Sequence, residues 1–243
     1  MKVIKASSKY VHGNDIFHIE ILYPGSALRL PDTGFYTIGR IDHANFKPPG
    51  FIAMHPHRND EIFSYVRSGV MVHKDTTGQQ QFVSSSYMMM MNAGSGMQHE
   101  ESAKEDLEML QIFMRPSKNG LEPKVQFHTF ENVYSENQWR ILAGNSTNAP
   151  FDLRTDTDIF DTRLSAGDEL QVPINPGKNI NFLYCFHGSV KVNHTILEKG
   201  DVIIFKDKTP LIKALVTTDL LLFQINEAAE FSDNGMFSGN QNR

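Results

Sequence analysis

Residues 65–92, YVRSGVMVHKDTTGQQQFVSSSYMMMMN, have a shorter counterpart at residues 185–206, CFHGSVKVNHTILEKGDVIIFK. Gly69 of the first stretch aligns with Gly188 of the second, and each glycine precedes short apolar runs separated by turn-forming residues. Runs of this kind, rich in β-branched and bulky residues, are typical of β-hairpins. A repeat of roughly 115 residues is too long for a solenoid and indicates two copies of one β domain.

Strand-like segments also dominate the rest of the chain, and few segments show a sustained period of 3.6 residues. This pattern predicts an all-β protein with many antiparallel strands. The clearest strand candidates are EIFSYV (61–66), SGVMVH (68–73), LEMLQIFM (107–114), KNINFLYCFHG (178–188), DVIIF (201–205) and DLLLFQI (219–225).

The repeat divides the chain into four segments. We place an N-terminal lobe at residues 1–120, an inter-lobe linker region at 121–145, a C-terminal lobe at 146–230 and a tail at 231–243. The linker region is polar, as expected of a connection between domains. The tail has little apolar surface to bury, so we expect it to be mobile or folded back.

Composition limits the function classes. A net charge of -5 and a pI near 6.0 argue against a protein that binds nucleic acid directly through its phosphates. Cys185 is the single cysteine, which excludes an intramolecular disulfide and a Cys-rich zinc site. No signal peptide is recognisable, and no stretch approaches the roughly 18–20 apolar residues of a membrane span. We therefore expect a cytoplasmic protein without membrane contact.

The sequence contains two pairs of potential metal ligands, and in each pair the two residues are two positions apart. His55 and His57 share a face if their segment is a strand, and so do His99 and Glu101. On neighbouring strands of a barrel, three imidazoles and one carboxylate could converge on one divalent transition metal. The chain has ten histidines, so the alternative of two neighbouring surface histidines at positions 55 and 57 stays open.

The motifs around these pairs resemble the pirin family of the cupin superfamily. The densest match covers about 50 residues, and weaker similarity in order and spacing extends over most of the chain. The matching positions are His55-Pro56-His57-Arg58, Glu61, Ser64-Tyr65, Gly69, His73-Lys74-Asp75 with Gly78, and Ala93-Gly94-Ser95-Gly96 with His99 and Glu101.

The resemblance implies a bicupin, in which two cupin-type β-sandwich barrels, each a double-stranded β-helix, follow one another. It also implies one metal ion in the N-terminal lobe, held by His55, His57, His99 and Glu101. Pirin-like proteins are associated with iron, so we expect Fe(II). Nickel, manganese, cobalt and zinc accept the same ligand set.

The second copy of the repeat offers no comparable ligands. Counting along the repeat places Ile174 and Pro176 opposite the first pair, and Lys213 and Leu215 opposite the second pair. An isolated lysine at a metal position would oppose binding. We therefore predict a degenerate C-terminal lobe without a metal.

One departure from the pirin pattern lies beside the ligands. The pattern has Gly-Phe before Glu61, whereas this chain has Asn59 and Asp60. The change leaves the ligands intact but alters the neighbouring loop, so we expect it to act on substrate preference. Glu61 is a ligand in many cupins. Here we expect it to orient an imidazole from outside the ligand set, with direct ligation as the alternative.

Two further features have less specific interpretations. His73 lies in the hairpin HKDTTG, so we expect a role in the turn rather than ligation. The run Met88–Met91 would alternate faces on a strand, and we expect it to pack in the core. The alternative is that two of these methionines line the pocket.

The resemblance implies a mononuclear metal-dependent dioxygenase of the quercetin 2,3-dioxygenase type. It would cleave a flavonol-like aromatic ring with O2, and Glu101 could take the substrate's hydroxyl proton. An alternative is a non-enzymatic, metal-bound regulatory protein, such as a transcriptional cofactor or redox sensor with a protein partner. A third alternative is another cupin reaction, such as isomerisation. We expect a monomer in each case.

Overall fold

A computed structural model describes residues 1–145 and 148–243. The chain is nearly all β and divides into two compact units. The N-terminal lobe comprises Lys9–Val133 and Glu230–Arg243. The C-terminal lobe comprises Met1–Ser8, which includes strand β1 (Lys2–Ile4), and Tyr134–Ala229. None of the helices in the described residues has the length and apolar character to cross a membrane.

The N-terminal lobe is a sandwich of two antiparallel sheets. The larger sheet has the order β12-β9-β6-β11-β4-β3-β2, and the smaller has the order β5-β10-β7-β8. Both sheets contribute side chains to one apolar core. The elements are β2 (Tyr10–Gly13), β3 (Phe17–Leu22), α1 (Pro24–Ala27), β4 (Ile38–Phe46), β5 (Phe51–His57), β6 (Glu61–Ser68), β7 (Val70–Asp75), β8 (Gln80–Ser84), β9 (Tyr87–Asn92), β10 (Met97–Ala103), β11 (Leu107–Met114) and β12 (Lys124–Thr129).

The C-terminal lobe repeats this architecture. Its sheets have the orders β1-β20-β17-β22-β15-β13-β14 and β16-β21-β18-β19, and they enclose a second apolar core. Its further strands are β13 (Arg140–Gly144), β14 (Phe151–Asp152), β15 (Thr157–Leu164), β16 (Glu169–Gln171), β17 (Ile180–His187), β18 (Ser189–Val192), β19 (Thr195–Glu198), β20 (Val202–Lys206), β21 (Leu211–Ala214) and β22 (Thr218–Ile225). The prediction of an all-β bicupin is confirmed.

The two aligned glycines mark the same corner in each lobe. Gly69 connects β6 to β7 with φ of 75°, and Gly188 connects β17 to β18 with φ of 86°. A Cβ atom would lie 2.3 Å from the Asp106 carbonyl oxygen in the first case and 2.5 Å from the Thr217 carbonyl oxygen in the second. Only glycine combines this backbone conformation with such a close approach, which explains why the repeat is most visible here.

The division into lobes differs from the predicted one at the N-terminus. Residues 1–8 belong to the C-terminal lobe, because β1 pairs with β20 and Lys5 forms an ion pair with Asp201. The change of unit between Val133 and Tyr134 falls inside the predicted linker region. The exact limits of that region, 121 and 145, stay a prediction.

Strand register corrects two correspondences between the lobes. Counted from the shared glycines, Val192 occupies the position of His73. Val192 pairs with Ile212 in the same way as His73 pairs with Glu101. Ile212 therefore stands where Glu101 stands in the first lobe. Lys213 pairs with Lys191, the counterpart of Val72, and so stands where Ser102 stands. The counting that placed Lys213 and Leu215 opposite His99 and Glu101 was wrong, because β21 reaches this pairing within fewer residues of its start than β10 does.

The methionine run forms the central part of β9. Met88 to Met91 are all fully buried, and Met89 and Met91 belong to the core that the two sheets of the N-terminal lobe enclose. The expectation that these residues pack in the core is confirmed.

Candidate metal centre

Pairing between β5 and β10 brings the predicted residues together. His99 lies opposite His55, and Met97 lies opposite His57. The register then shifts between His99 and Glu101, so that Glu101 lies opposite Ile52. This irregularity is a bulge, which re-aims a side chain relative to a regular ladder.

The three imidazoles form a compact group. Ligand nitrogens of His55, His57 and His99 all lie within 4.8 Å of one another. The Nε2 atoms of His57 and His99 are 3.0 Å apart. A second, overlapping group joins His99 and Glu101 with His73. The structure therefore places three of the predicted ligands in one group, and it places the fourth, Glu101, in a second group that shares His99 and includes His73.

The Nδ1 atoms of two of these imidazoles are occupied by acceptors. His55 Nδ1 donates to the Ala53 carbonyl oxygen at 2.9 Å. His57 Nδ1 donates to Asp60 Oδ2 at 3.4 Å. Because these acceptors require a proton on Nδ1, the Nε2 atom of each neutral ring carries a lone pair. Ligating histidines in proteins are commonly held in this way.

The third imidazole is held by a chain of two residues. His73 Nε2 donates to Asp75 Oδ2 at 2.8 Å, which leaves a lone pair on His73 Nδ1. His99 Nδ1 lies 3.2 Å from that atom and donates to it. His99 Nε2 is therefore also free of a proton. The prediction of a turn role was wrong for His73. Asp75 has the turn role instead, because it accepts hydrogen bonds from the turn residues Thr77 and Gln79.

Burial favours the neutral forms of His55 and His99. It lowers the pKa of His55, and it lowers the pKa of the more deeply buried His99 further, with smaller contributions from the neighbouring histidines. Neutral imidazoles are the form that binds metals.

The donor set fits a divalent transition metal. Two Nε2 lone pairs 3.0 Å apart repel each other unless a proton or a metal ion lies between them. Nitrogen ligands at about 2.1 Å from a metal and at right angles to one another would be roughly 3.0 Å apart. The observed distance is therefore compatible with His57 and His99 both ligating one ion.

Glu101 has an unusual environment for a carboxyl group. Burial raises its pKa to about 7, and the hydrogen bond that Gln111 Nε2 donates to Oε1 at 3.0 Å opposes this only in part. Its Oε1 atom is also 3.7 Å from His99 Nδ1. Glu101 can therefore either ligate a metal or exchange a proton near neutral pH.

The raised pKa leads to a prediction for the metal-free protein. The folded state holds the Glu101 proton more tightly than the unfolded state, in which the pKa is about 4.5. The free energy of unfolding should therefore fall as pH rises from about 4.5 to about 7, by on the order of 3 kcal/mol. Urea unfolding at pH 5 and pH 8 should show this loss in the wild type. Glu101→Gln should lack it, and an equal loss in both proteins would contradict the prediction.

Glu61 lies outside both ligand groups among the described residues. It is fully buried and accepts a hydrogen bond from Asn92 Nδ2, and Asn92 in turn accepts one from Gln126. Its expected role in orienting an imidazole stays a prediction.

A small cavity lies next to Glu101. Its volume is about 30 Å³, which is close to the space of a single water molecule in the liquid. Drug-sized ligands occupy about 300–1,000 Å³. The lining is mostly apolar, with polar groups from Asp42, Glu101 and Gln111. The apolar part includes Phe17, Phe46, Ile52, Met71 and Met109.

Each lobe matches the model of a known protein family. The Pirin family matches residues 35–114, and the quercetinase C-terminal cupin domain matches residues 141–225. A pirin-like protein of Caulobacter vibrioides is 30% identical over 173 residues, which cover 69% of this chain and 74% of the relative. The quercetin 2,3-dioxygenase of Escherichia coli K12 is 25% identical over 175 residues, covering 70% and 74%.

Solved structures show the same fold. The bacterial pirin YhhW of Escherichia coli in complex with nickel(II) superposes with a TM-score of 0.81 at 19% identity, covering 93% of this chain and 98% of that one. A quercetin 2,3-dioxygenase of Acinetobacter baumannii superposes with a TM-score of 0.75 at 21% identity, covering 93% and 86%.

Proposed function

Because the chain belongs to the pirin family, we propose that it is a mononuclear metal-dependent dioxygenase acting on a flavonol-like, quercetin-type substrate. The observation that carries the proposal is the compact group of His55, His57 and His99, whose ligand nitrogens lie within 4.8 Å of one another, together with the overlapping group in which Glu101 joins His99. A relative that is 25% identical bears the name quercetin 2,3-dioxygenase, which supports this choice of reaction.

The metal would be held by His55, His57, His99 and Glu101. We propose Fe(II), with nickel, manganese, cobalt and zinc as alternatives that suit the same donors. The nickel(II) complex of the Escherichia coli pirin supports a divalent ion in this fold. When bound, the ion would act as a Lewis acid toward the phenolic oxygen and would promote the reaction with O2.

Glu101 would act as the general base that takes the substrate's hydroxyl proton. A carboxylate with a pKa near 7 is well matched to taking a proton from a phenolic hydroxyl at neutral pH. Gln111 holds one carboxylate oxygen, which leaves the other to accept the proton. The apolar lining around the carboxyl group would exclude water from the deprotonated substrate.

The cavity constrains how a substrate could bind. Its volume of about 30 Å³ can hold a diatomic molecule but not aromatic rings. A ring-bearing substrate would therefore have to displace side chains from the lining. Met71 and Met109 are suited to this, because methionine is flexible and adapts to irregular shapes.

The proposal is tested by metal analysis followed by an oxygen assay. We expect about one equivalent of a divalent transition metal in protein purified without added metal or chelator. The metal-loaded protein should consume O2 in step with the loss of quercetin, and dialysis against a chelator should abolish this. The variant His194→Ala, an exposed histidine of the C-terminal lobe, serves as a control. Full metal occupancy without quercetin-dependent O2 uptake would contradict the dioxygenase assignment.

Loss of the His73 ring should weaken metal binding indirectly. His73→Phe keeps a buried planar ring but removes the acceptor for His99 Nδ1, so His99 would lose its fixed tautomer. We expect the affinity for Ni²⁺ to fall about 10–100-fold. Competition with a chromophoric chelator measures this. An affinity equal to that of the wild type would show that the Asp75–His73 chain does not support the ligand.

A further inference from the structure

The C-terminal tail, residues 230–243, belongs to the N-terminal lobe and lies against the loop that follows the first pair of histidines. Met236 N donates to the Arg58 carbonyl oxygen at 3.0 Å. Ser238 is fully buried. Of the two expectations for this segment, the structure shows the folded-back one.

Asp60 connects the tail to a candidate metal ligand. Its carboxylate is fully buried and accepts hydrogen bonds from Ser238 N at 2.8 Å and Ser238 Oγ at 2.7 Å. It also accepts from Phe237 N, at 3.1 and 3.3 Å to its two oxygens. His57 Nδ1 is 3.4 Å from Oδ2 of the same group. A buried carboxylate needs such donors, and here the tail supplies all of these except the imidazole.

The tail also covers the imidazole. The Phe237 ring lies 4.9 Å from the His57 ring and 5.6 Å from the Phe113 ring, measured between centroids. The Arg40 guanidinium lies over the Phe237 ring, 5.4 Å from its centroid. Phe237 therefore excludes water from one side of His57.

Several contacts hold the tail in place. The buried Arg115 donates from Nε to the Ser238 carbonyl oxygen at 2.7 Å and forms a two-pronged ion pair with Asp32. Gly39 allows the approach, because a Cβ atom there would lie 2.2 Å from the Ser238 carbonyl oxygen. The segment is thus packed as part of the lobe.

We propose that the C-terminal tail completes the metal centre, with Asp60 and Ser238 as positioning residues that hold His57 in its ligating tautomer. The inference rests on the metal site proposed above. It also gives a specific role to Asp60, which stands where the pirin pattern has a phenylalanine that could not accept these hydrogen bonds. Tail docking and metal binding should then be thermodynamically coupled, each strengthening the other.

The test uses the full-length protein and Ni²⁺ as the probe. Competition with a chromophoric chelator should show a 10–100-fold loss of affinity for Asp60→Asn and roughly a 3–10-fold loss for Ser238→Ala, which keeps the backbone donors. Arg243→Ala is the matched control, because its exposed ion pair with Asp233 lies in the same tail and does not involve Asp60. The control should stay within about twofold of the wild type.

Hydrogen exchange gives a readout that a purely structural role would not change. Ni²⁺ should slow exchange of the Phe237 and Ser238 amides about tenfold or more in the wild type. Asp60→Asn should lose this metal-dependent protection. If that variant does not fold, Ser238→Ala carries the test, with thermal unfolding of the metal-free protein as the check on folding.

Two results would overturn the inference. One is an unchanged Ni²⁺ affinity in Asp60→Asn and Ser238→Ala, even if the metal-free variants melt earlier. The other is tail exchange that does not respond to Ni²⁺ in a wild type that binds it. A wild type that binds neither Ni²⁺ nor Fe²⁺ would instead refute the metal centre on which the proposed function depends.

Discussion

Replacing His99 with alanine (His99→Ala) is expected to lower the affinity for Ni²⁺ or Fe²⁺ by more than 100-fold. His99 is the central residue of the site, because its Nε2 faces His57 and its Nδ1 is held by His73. Loss of a direct ligand should exceed the roughly 10–100-fold effect of losing an outer hydrogen-bond partner. Elemental analysis of the purified variant, followed by chelator competition, measures the change.

The control for this variant is His194→Ala, which removes an exposed imidazole from the other lobe. Thermal unfolding of metal-free His99→Ala checks that the variant is folded, because removing a buried ring leaves a cavity and lowers the free energy of unfolding. Stoichiometric metal in folded His99→Ala would mean that the site is not built as described.

Glu101→Gln should strongly lower turnover even when the metal site is saturated. The substitution keeps the size of the side chain and the contact with Gln111 but removes the ability to accept a proton. A general base commonly contributes a factor of about 10²–10⁴. We therefore expect quercetin-dependent O2 consumption to fall by about that factor, measured at saturating metal so that weaker metal binding does not limit the rate.

Glu101→Asp separates the two roles of this residue. Aspartate can still accept a proton but reaches less far, so it should recover part of the activity that glutamine loses. Turnover of Glu101→Gln close to that of the wild type would remove Glu101 from the chemistry and leave it, at most, a ligand.

The local sequence pattern was sufficient to predict much of the fold. The strand signals, the repeat and the aligned glycines follow from steric preferences that act over a few residues. The pairs His55/His57 and His99/Glu101 were also predictable from local pattern, since alternate side chains on a strand share a face. These features predicted the two β-sandwich lobes, the three histidines that the structure brings together (His55, His57 and His99), and Glu101, which it groups with His99.

The supporting residues could not be found in this way. His73 reaches the site only because β7 pairs with β10 in a register that sets it opposite Glu101. That register follows from the packing of the whole sandwich, although the spacing of His73 and Asp75 could have suggested a hydrogen-bonded pair. The size of the cavity likewise depends on side chains from several strands.

The sequence by itself therefore determined the β architecture, its duplication and the identity of the candidate ligands, because these depend on contacts between near neighbours. Only the tertiary structure decided which nitrogen of each imidazole is free, because that depends on partners brought together by folding. Asp60 and Ser238 illustrate the difference. They are separated by 178 positions, and their hydrogen bond forms only when the tail packs onto the N-terminal lobe.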